Sequence, residues 1–337
     1  MGRPARPPGQ PPGSTCRAAA LPWPPFCGHA LPQHQEGRFV GKFLWGIEVA
    51  LARCAIGLSR AVPPRCASWL GGTVTRWVGP WLPASRIALR NLALAFPEMP
   101  LPERRRIMRA AWENLGRTAL ELPHVQALGR TASGPGWELE GEQHLPRAGR
   151  AVLVSAHLAN WELLPKAAMA AGLSMAGLYR AANNPGVDAL MREVRGSGPS
   201  QQLFPKGARG TRLALKHLAG GGALGLLTDQ KFNEGVALPF FGEPAMTTTA
   251  PAELALRFDC PLIPVRVLRI GPCRFRIIVE PPLTVEKTGV AADDVLNLTR
   301  QMNARIESWI RERPEEWLWM HRRLPKSFYQ RTRAGKG

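Results

Sequence analysis

The sequence is short of acidic side chains: 25 Asp and Glu stand against 44 Lys and Arg, a formal charge of +19 at pH 7. That deficit calls for anionic surroundings, whether nucleic acid, an anionic membrane surface, or acidic partners and substrates, and charge alone does not choose among them. Organised cysteine is lacking too. The six cysteines, at 16, 27, 54, 66, 260 and 273, form no C-x-x-C and have no clustered histidines beside them. This argues against structural zinc and a dense disulfide framework, and for a reducing compartment. Internal repeats are absent. Hydrophobic residues make up 45%, which excludes both global disorder and a polytopic membrane protein.

At 337 residues the chain accommodates one α/β domain with a helical N-terminal extension. Residues 1–36 are rich in proline and in polar or small residues, cannot build a periodic apolar face, and read as disordered. They hold no uninterrupted apolar region of the kind a secretory signal needs. Residues 37–83 read as a membrane-anchoring helix followed by an interfacial segment. The stretch "FLWGIEVALARCAIGLSRAV" at 43–62 has about the length of a bilayer span, but Glu48, Arg53 and Arg60 interrupt it. Arg53 and Arg60 are seven residues apart and share a helical stripe, as in an interfacial helix with snorkelling arginines or a tilted anchor. Trp69, Trp77 and Trp81 follow, among Gly, Pro and Arg, a composition suited to headgroup depth.

From 84 to 136 the pattern is a helical layer, broken at Pro97 to Pro102. From 137 to 325 short apolar runs alternate with helix-length segments. Strands are expected at 151–155, 174–179, 201–204, 223–228, 262–268 and 274–280, and helices at 160–172, 185–195, 207–219, 248–258 and 291–312. The alternation predicts an α/β fold, a mostly parallel or mixed sheet flanked by helices, with ligands at the carboxyl ends of strands. Residues 326–337 are a basic tail.

"SAHLANWELLP" at 155–165 places His157 just past the first strand of that sheet and Glu162 five positions later. On a continuous helix that spacing turns about 140°, so only a loop entering a helix would bring the two side chains together. Glu162 would then hold one imidazole nitrogen while the other faces substrate. A helical zinc site needs a second histidine one turn away, and none lies near. A structural histidine and a catalytic one remain equally compatible with these local features.

Taken with its companions, "SAHLANWE" resembles the His-x4-Asp/Glu signature of glycerolipid acyltransferases and, more narrowly, the lipid A biosynthesis acyltransferases of the lauroyl and myristoyl type. The companions are "RNLALAFPE" (90–98), "YRAANNP" (179–185), "KGARG" (206–210), "LTDQ" (227–230), "LPFFGEPAMTTTAPAELALR" (238–257) and "RPEEWLWMHRR" (313–323), in that order. The resemblance spans 43–325. It implies a glycerolipid-acyltransferase-like domain over 84–325 that moves a fatty acyl chain from acyl carrier protein to a hydroxyl of a lipid A precursor, a phosphorylated Kdo-lipid IVA-like glycolipid. The place implied is the inner membrane, among its lipids, with the catalytic domain facing the cytoplasm. Nucleic acid is not an implied partner, and oligomeric state stays open.

An alcohol is a poor nucleophile at neutral pH, so a positioned base must take its proton, and an imidazole with an ordinary pKa of about 6.5 suits the task. His157 is the expected base and Glu162 its orienting carboxylate. Arg180, Lys206 and Arg209 are expected to bind the acidic acceptor or the oxyanion. Asp229 would pair with Arg180 or Lys206, or orient the acceptor, and Phe240 and Phe241 would line the acyl channel or pack the core. His321 is a second histidine in a possible substrate rim. The chemistry calls for no metal and no cofactor. Three rivals stay open: another glycolipid or glycerophospholipid acyltransferase, a thioesterase in which His157 activates water, and a non-enzymatic basic protein bound to membranes or nucleic acid.

Overall fold

The structure, a computed structural model, describes residues 38–147, 149–196, 201–284, 287–325 and 328–329. The disordered extension expected at 1–36 lies outside the described residues, as does the basic tail apart from Phe328 and Tyr329.

Four helices lead: α1 (Arg38–Arg60), α2 (Pro64–Val78), α3 (Ala84–Ala95) and α4 (Leu101–Glu121). Pro64 opens α2, where its missing N–H costs nothing, and Pro102 and Glu103 do the same for α4, the carboxylate facing the positive end of the helix dipole. The α/β part follows as β1 (Gly136–Glu140), β2 (Ala151–Ser155), α5 (Leu164–Ala170), β3 (Met175–Tyr179), α6 (Pro185–Val194), β4 (Gln201–Pro205), α7 (Ala208–Ala219) and β5 (Ala223–Leu227). It ends with the pair β6 (Val236–Phe240) and β7 (Glu243–Thr247), then α8 (Ala250–Arg257), β8 (Leu262–Gly271), β9 (Arg274–Val279) and α9 (Ala291–Glu312).

Seven strands make one mixed sheet in the order β1-β9-β8-β2-β5-β3-β4. Its pairs are parallel except β8 with β9, which run antiparallel through a tight turn. The central strand β2 is buried along its whole length, which is why it reads as a continuous apolar run. Val152 and Val154 join the core shared with Leu92, Ile107, Leu218, Ile306 and Trp309. Ala151 and Leu153 face the opposite core, with Leu163, Ile263 and Phe275. Each fully buried branched side chain of this kind contributes about 1.5–3 kcal/mol.

Two elements escape the sequence pattern. β1 is short and was not expected. The β6–β7 hairpin was hidden by Pro239 opposite Pro244, residues that argue against a strand, and by a two-residue turn of Phe241 (φ 51°) and Gly242 (φ 80°). A phenylalanine in the left-handed region is not the Asn or Gly that marks such turns. Its amide is held by the Glu307 carboxylate at 2.6 Å.

α2 packs on α4 through glycine. A Cβ on Gly116 would stand 2.1 Å from Thr75 Oγ1 and 2.2 Å from Gly71 O, so the two backbones touch only because neither residue has a side chain. Gly116→Val is therefore expected to lower stability by about 3 kcal/mol through overpacking against a backbone oxygen, read as a fall in denaturation midpoint. A midpoint equal to wild type would show that the helices can separate freely.

Candidate active site

β2 and β5 are parallel neighbours with Ser155 level with Leu227. Two residues beyond those strand ends the chains carry His157 and Asp229, so the register sets imidazole and carboxylate side by side. His157 donates from its backbone N–H to Asp229 Oδ2 at 2.9 Å and from Nδ1 to Oδ1 at 2.7 Å. Trp317 Nε1 donates to Oδ2 at 2.8 Å. With three donors on a carboxylate only 2% exposed, Asp229 is fixed in place.

Burial by itself would raise the Asp229 pKa, and it is the largest single influence. The charge and hydrogen bonds of His157, with the bond from Trp317, outweigh it and hold the carboxyl down at about 2. An acid whose folded pKa lies below its ordinary 3.8 adds stability above that value, and the contribution is lost as pH falls through about 2.

An ionised carboxylate accepts, so Nδ1 of His157 carries a proton, and in the neutral form of the ring Nε2 is the acceptor. The amide nitrogen of Gln230 lies 3.3 Å from His157 Nε2 and 3.3 Å from His321 Nε2, bridging the two rings. The ring of Trp161 meets His157 edge-on at 5.0 Å. The second imidazole nitrogen thus meets the Gln230 amide at the carboxyl end of the sheet.

The loop that carries His157 is tied down along its length. Ala159 adopts φ 46°, a strained value for a residue with a Cβ, and its carbonyl accepts from Thr118 Oγ1 at 2.8 Å while its N–H donates to Glu316 O at 3.0 Å. Leu318 N–H donates to His157 O, and Asn160 Nδ2 donates to Glu121 at 2.9 Å.

Glu162 requires a correction. The chain does leave a loop into a short 3-10 turn, Trp161–Leu163, before α5, but there Glu162 pairs with Arg195 and not with the imidazole. Its two oxygens accept from Arg195 Nε at 2.8 Å and Nη2 at 2.7 Å. That fork, the leading influence on the guanidinium, raises the Arg195 pKa. The place on an imidazole nitrogen expected of Glu162 is taken by Asp229, on Nδ1, because a parallel register brings strand ends level across any distance in sequence. The same geometry corrects Asp229, whose partners are His157 and Trp317 instead of Arg180 or Lys206.

Arg180 follows β3, Lys206 follows β4, and Arg209 lies in the first turn of α7, all with exposed side chains. Lys206 N–H bonds Tyr179 O, which puts Arg180 and Lys206 side by side on the carboxyl edge that also carries His157. Phe240 and Phe241 are packing residues. Phe240 lies 5.9 Å from Trp317 and Phe241 6.0 Å from Phe96, ring centre to ring centre. The cavity they line with Trp317, Trp319 and Arg323 measures about 10 Å³, room for about one water and no acyl chain. Gln230 and Arg195 were not singled out for the site from sequence, and Trp317 was expected there only as an interfacial anchor or part of a substrate rim, not as a donor to Asp229. Gln230 and Trp317 lie inside family-like stretches, whereas Arg195 carried no signal beyond its place at the end of a helix.

An imidazole held on one nitrogen by a buried carboxylate, with only the Gln230 amide against the other, is the apparatus of an enzyme that activates a hydroxyl or water. Residues 45–326 match the family model described as bacterial lipid A biosynthesis acyltransferase, and the chain belongs to that family. It is an acyltransferase. Among its relatives is a lipid A biosynthesis lauroyltransferase of Escherichia coli (strain K12), 28% identical over 250 residues that cover 71% of this chain and 78% of that one. A lipid A biosynthesis acyltransferase of Haemophilus influenzae is 27% identical over 251 residues, 71% of this chain and 76% of that one. A lipid A biosynthesis palmitoleoyltransferase of Escherichia coli (strain K12) is 27% identical over 246 residues, 71% of this chain and 78% of that one.

Glu162 and Arg195 act as a unit, so Glu162→Gln and Arg195→Met should each lower stability by about 2 kcal/mol and slow acyl transfer, and the double variant should be no worse than the poorer single. Additive losses would show that the two side chains act separately. Burial is the largest influence on Glu316 and pushes its carboxyl up to about 7 against the bond from Arg269 N–H. The fold therefore favours its protonated form, and this stabilisation is full below the ordinary 4.5 and lost as pH rises through about 7. In denaturant titrations across that window Glu316→Gln should flatten the decline, matching wild type at the acidic end and exceeding it at the basic end.

Proposed function

We propose that this chain moves a fatty acyl group from an acyl carrier protein thioester to a hydroxyl of a phosphorylated lipid A precursor, at the cytoplasmic face of an inner membrane. The observation that carries the reading is the 2.7 Å bond from His157 Nδ1 to buried Asp229, which leaves Nε2 as the base, in a chain of the lipid A acyltransferase family. The acceptor hydroxyl displaces Gln230 from Nε2 and gives up its proton there as its oxygen attacks the thioester carbon. Asp229 holds the ring in the right tautomer and stabilises the imidazolium without taking its proton. Collapse of the tetrahedral adduct expels the thiolate, which recovers the proton from Nε2. No acyl-enzyme is needed, since the acceptor attacks directly.

The exposed cations Arg180, Lys206 and Arg209 on the same edge suit an acidic carrier or the phosphates of the acceptor. The names of the relatives support lipid A as the acceptor class.

The test supplies purified protein with acyl carrier thioester and the phosphorylated glycolipid and weighs the products by mass spectrometry. His157→Ala should lose transfer by between a hundredfold and ten-thousandfold, roughly, as expected for loss of a general base. Asp229→Asn, which keeps the shape but favours the wrong tautomer, should lose about a thousandfold or more. Transfer that survives both changes would sink the assignment of the base. Free fatty acid released at one rate with and without acceptor would identify a thioesterase instead.

A further inference from the structure

Gln230 stands between two histidines and commits both to one role. Its amide nitrogen lies 3.3 Å from His157 Nε2 and 3.3 Å from His321 Nε2, with the two rings 6.0 Å apart centre to centre. An amide nitrogen carries two hydrogens and accepts nothing, so each of these ring nitrogens is an acceptor and each takes one hydrogen. The rings differ in what stands behind them. His157 is backed by Asp229, whereas among the described residues no carboxylate bonds the His321 ring. Burial, the largest influence, and the charge of His157 lower the His321 pKa below its ordinary 6.5 against the pull of Asp229, which keeps the ring neutral and accepting at pH 7. The backbone that carries His321 is fixed. Asn91 Nδ2 donates to Trp319 O and to His321 O, each at 2.8 Å, and Arg323, two residues on, is buried with bonds to Met246 O and Thr247 Oγ1. Gln230 in turn follows Asp229, whose carboxylate takes three hydrogen bonds.

We propose that Gln230 is the side chain that stabilises the oxyanion of the transfer, and that His321 positions it. The inference rests on the reading of His157 as the base for attack on a thioester. When the acceptor hydroxyl takes the place of the amide on His157 Nε2, the N–H that pointed there is released while the second N–H stays on His321. The released N–H is then a donor beside the attacking oxygen, with no partner of its own. Attack forms the bond from the acceptor oxygen to the thioester carbon, sends the hydroxyl proton to His157 Nε2 and moves the carbonyl π pair onto its oxygen. That oxygen takes the freed N–H of Gln230. Collapse restores the carbonyl and breaks the carbon–sulfur bond, and the departing thiolate takes the proton from Nε2 and leaves as a thiol. An amide anchored through one hydrogen gives the other with little reorganisation, the condition under which such a donor is effective. His321, with no carboxylate to stabilise its imidazolium, does not compete for the hydroxyl proton and holds the amide instead. An amide that only covers the base predicts the opposite effect of its removal.

The test gives the purified full chain acyl carrier thioester and the phosphorylated glycolipid. Acyl transfer and free fatty acid release are both read, because each passes through the same oxyanion. Gln230→Ala, with an unchanged denaturation midpoint as proof of folding, should lose roughly a hundredfold to a thousandfold in kcat, with KM no higher than wild type. Gln230→Glu, of the same shape but without an N–H, should lose at least as much, and it stands in if the alanine variant does not fold. His321→Ala should lose roughly tenfold to a hundredfold in kcat and add nothing to the loss of Gln230→Ala. His321→Gln, whose side-chain oxygen can hold the same N–H, should recover part of that loss. A kcat kept or raised in folded Gln230→Ala identifies a cap and overturns the proposal. Losses that add in the double variant overturn the role of His321. A loss in Gln230→Ala beside transfer that survives in His157→Ala removes the base and leaves the oxyanion donor standing, whereas a loss confined to His157→Ala removes the donor alone.

Discussion

Parallel pairing of β2 with β5 sets Ser155 level with Leu227 and, two residues on, His157 level with Asp229. Everything catalytic about the site depends on that register. A slip by one residue would turn Asp229 to the other side of its chain and leave an ionised carboxylate buried without donors, a cost of several kcal/mol. With the register kept, the same carboxylate takes three hydrogen bonds, fixes the tautomer of the imidazole and leaves Nε2 facing the strand ends. Trp317, the third donor, comes from the segment after α9, so the site closes only when the last helix has packed.

A second buried charge stabilises the loop from behind. Glu121, fully buried at the end of α4, accepts from Arg269 of β8, from Ser68 of α2 and from Asn160 of the His157 loop. Burial is the largest influence on its pKa and would raise it, but the charge and hydrogen bonds of Arg269 and the bonds of Ser68 and Asn160 keep it low. Such a pair adds little net stability over apolar packing, yet removing one partner strands the other. Its value lies in position: it ties the helical layer to the sheet at the point where Ala159 holds its positive φ. The close glycine contact of α2 with α4 serves that geometry, because it brings Ser68 within 2.6 Å of Glu121.

One layer thus does two things. The inner side of α2 supports the site loop through Ser68 and Glu121, and its outer side carries the exposed Trp69 and Trp77.

Much of this was legible in the chain alone. Apolar runs at 151–155, 223–228 and 262–268 announced buried strands, since a strand covered on both faces has no polar alternation. The order of the motifs announced the family and His157 as the residue to watch. The hairpin β6–β7 was not legible, because two facing prolines and a phenylalanine at positive φ look like a loop. Nor was the partner of the histidine. Five positions of local sequence pointed to Glu162, while the carboxylate that holds the ring lies 72 residues away in Asp229. Sequence determined which segments become strands and which residue is the imidazole, because those follow from local composition and burial. Only the tertiary structure decided that Asp229 holds it and that Glu162 answers to Arg195, because pairing across a sheet is set by register between strands and leaves no trace in the spacing along the chain.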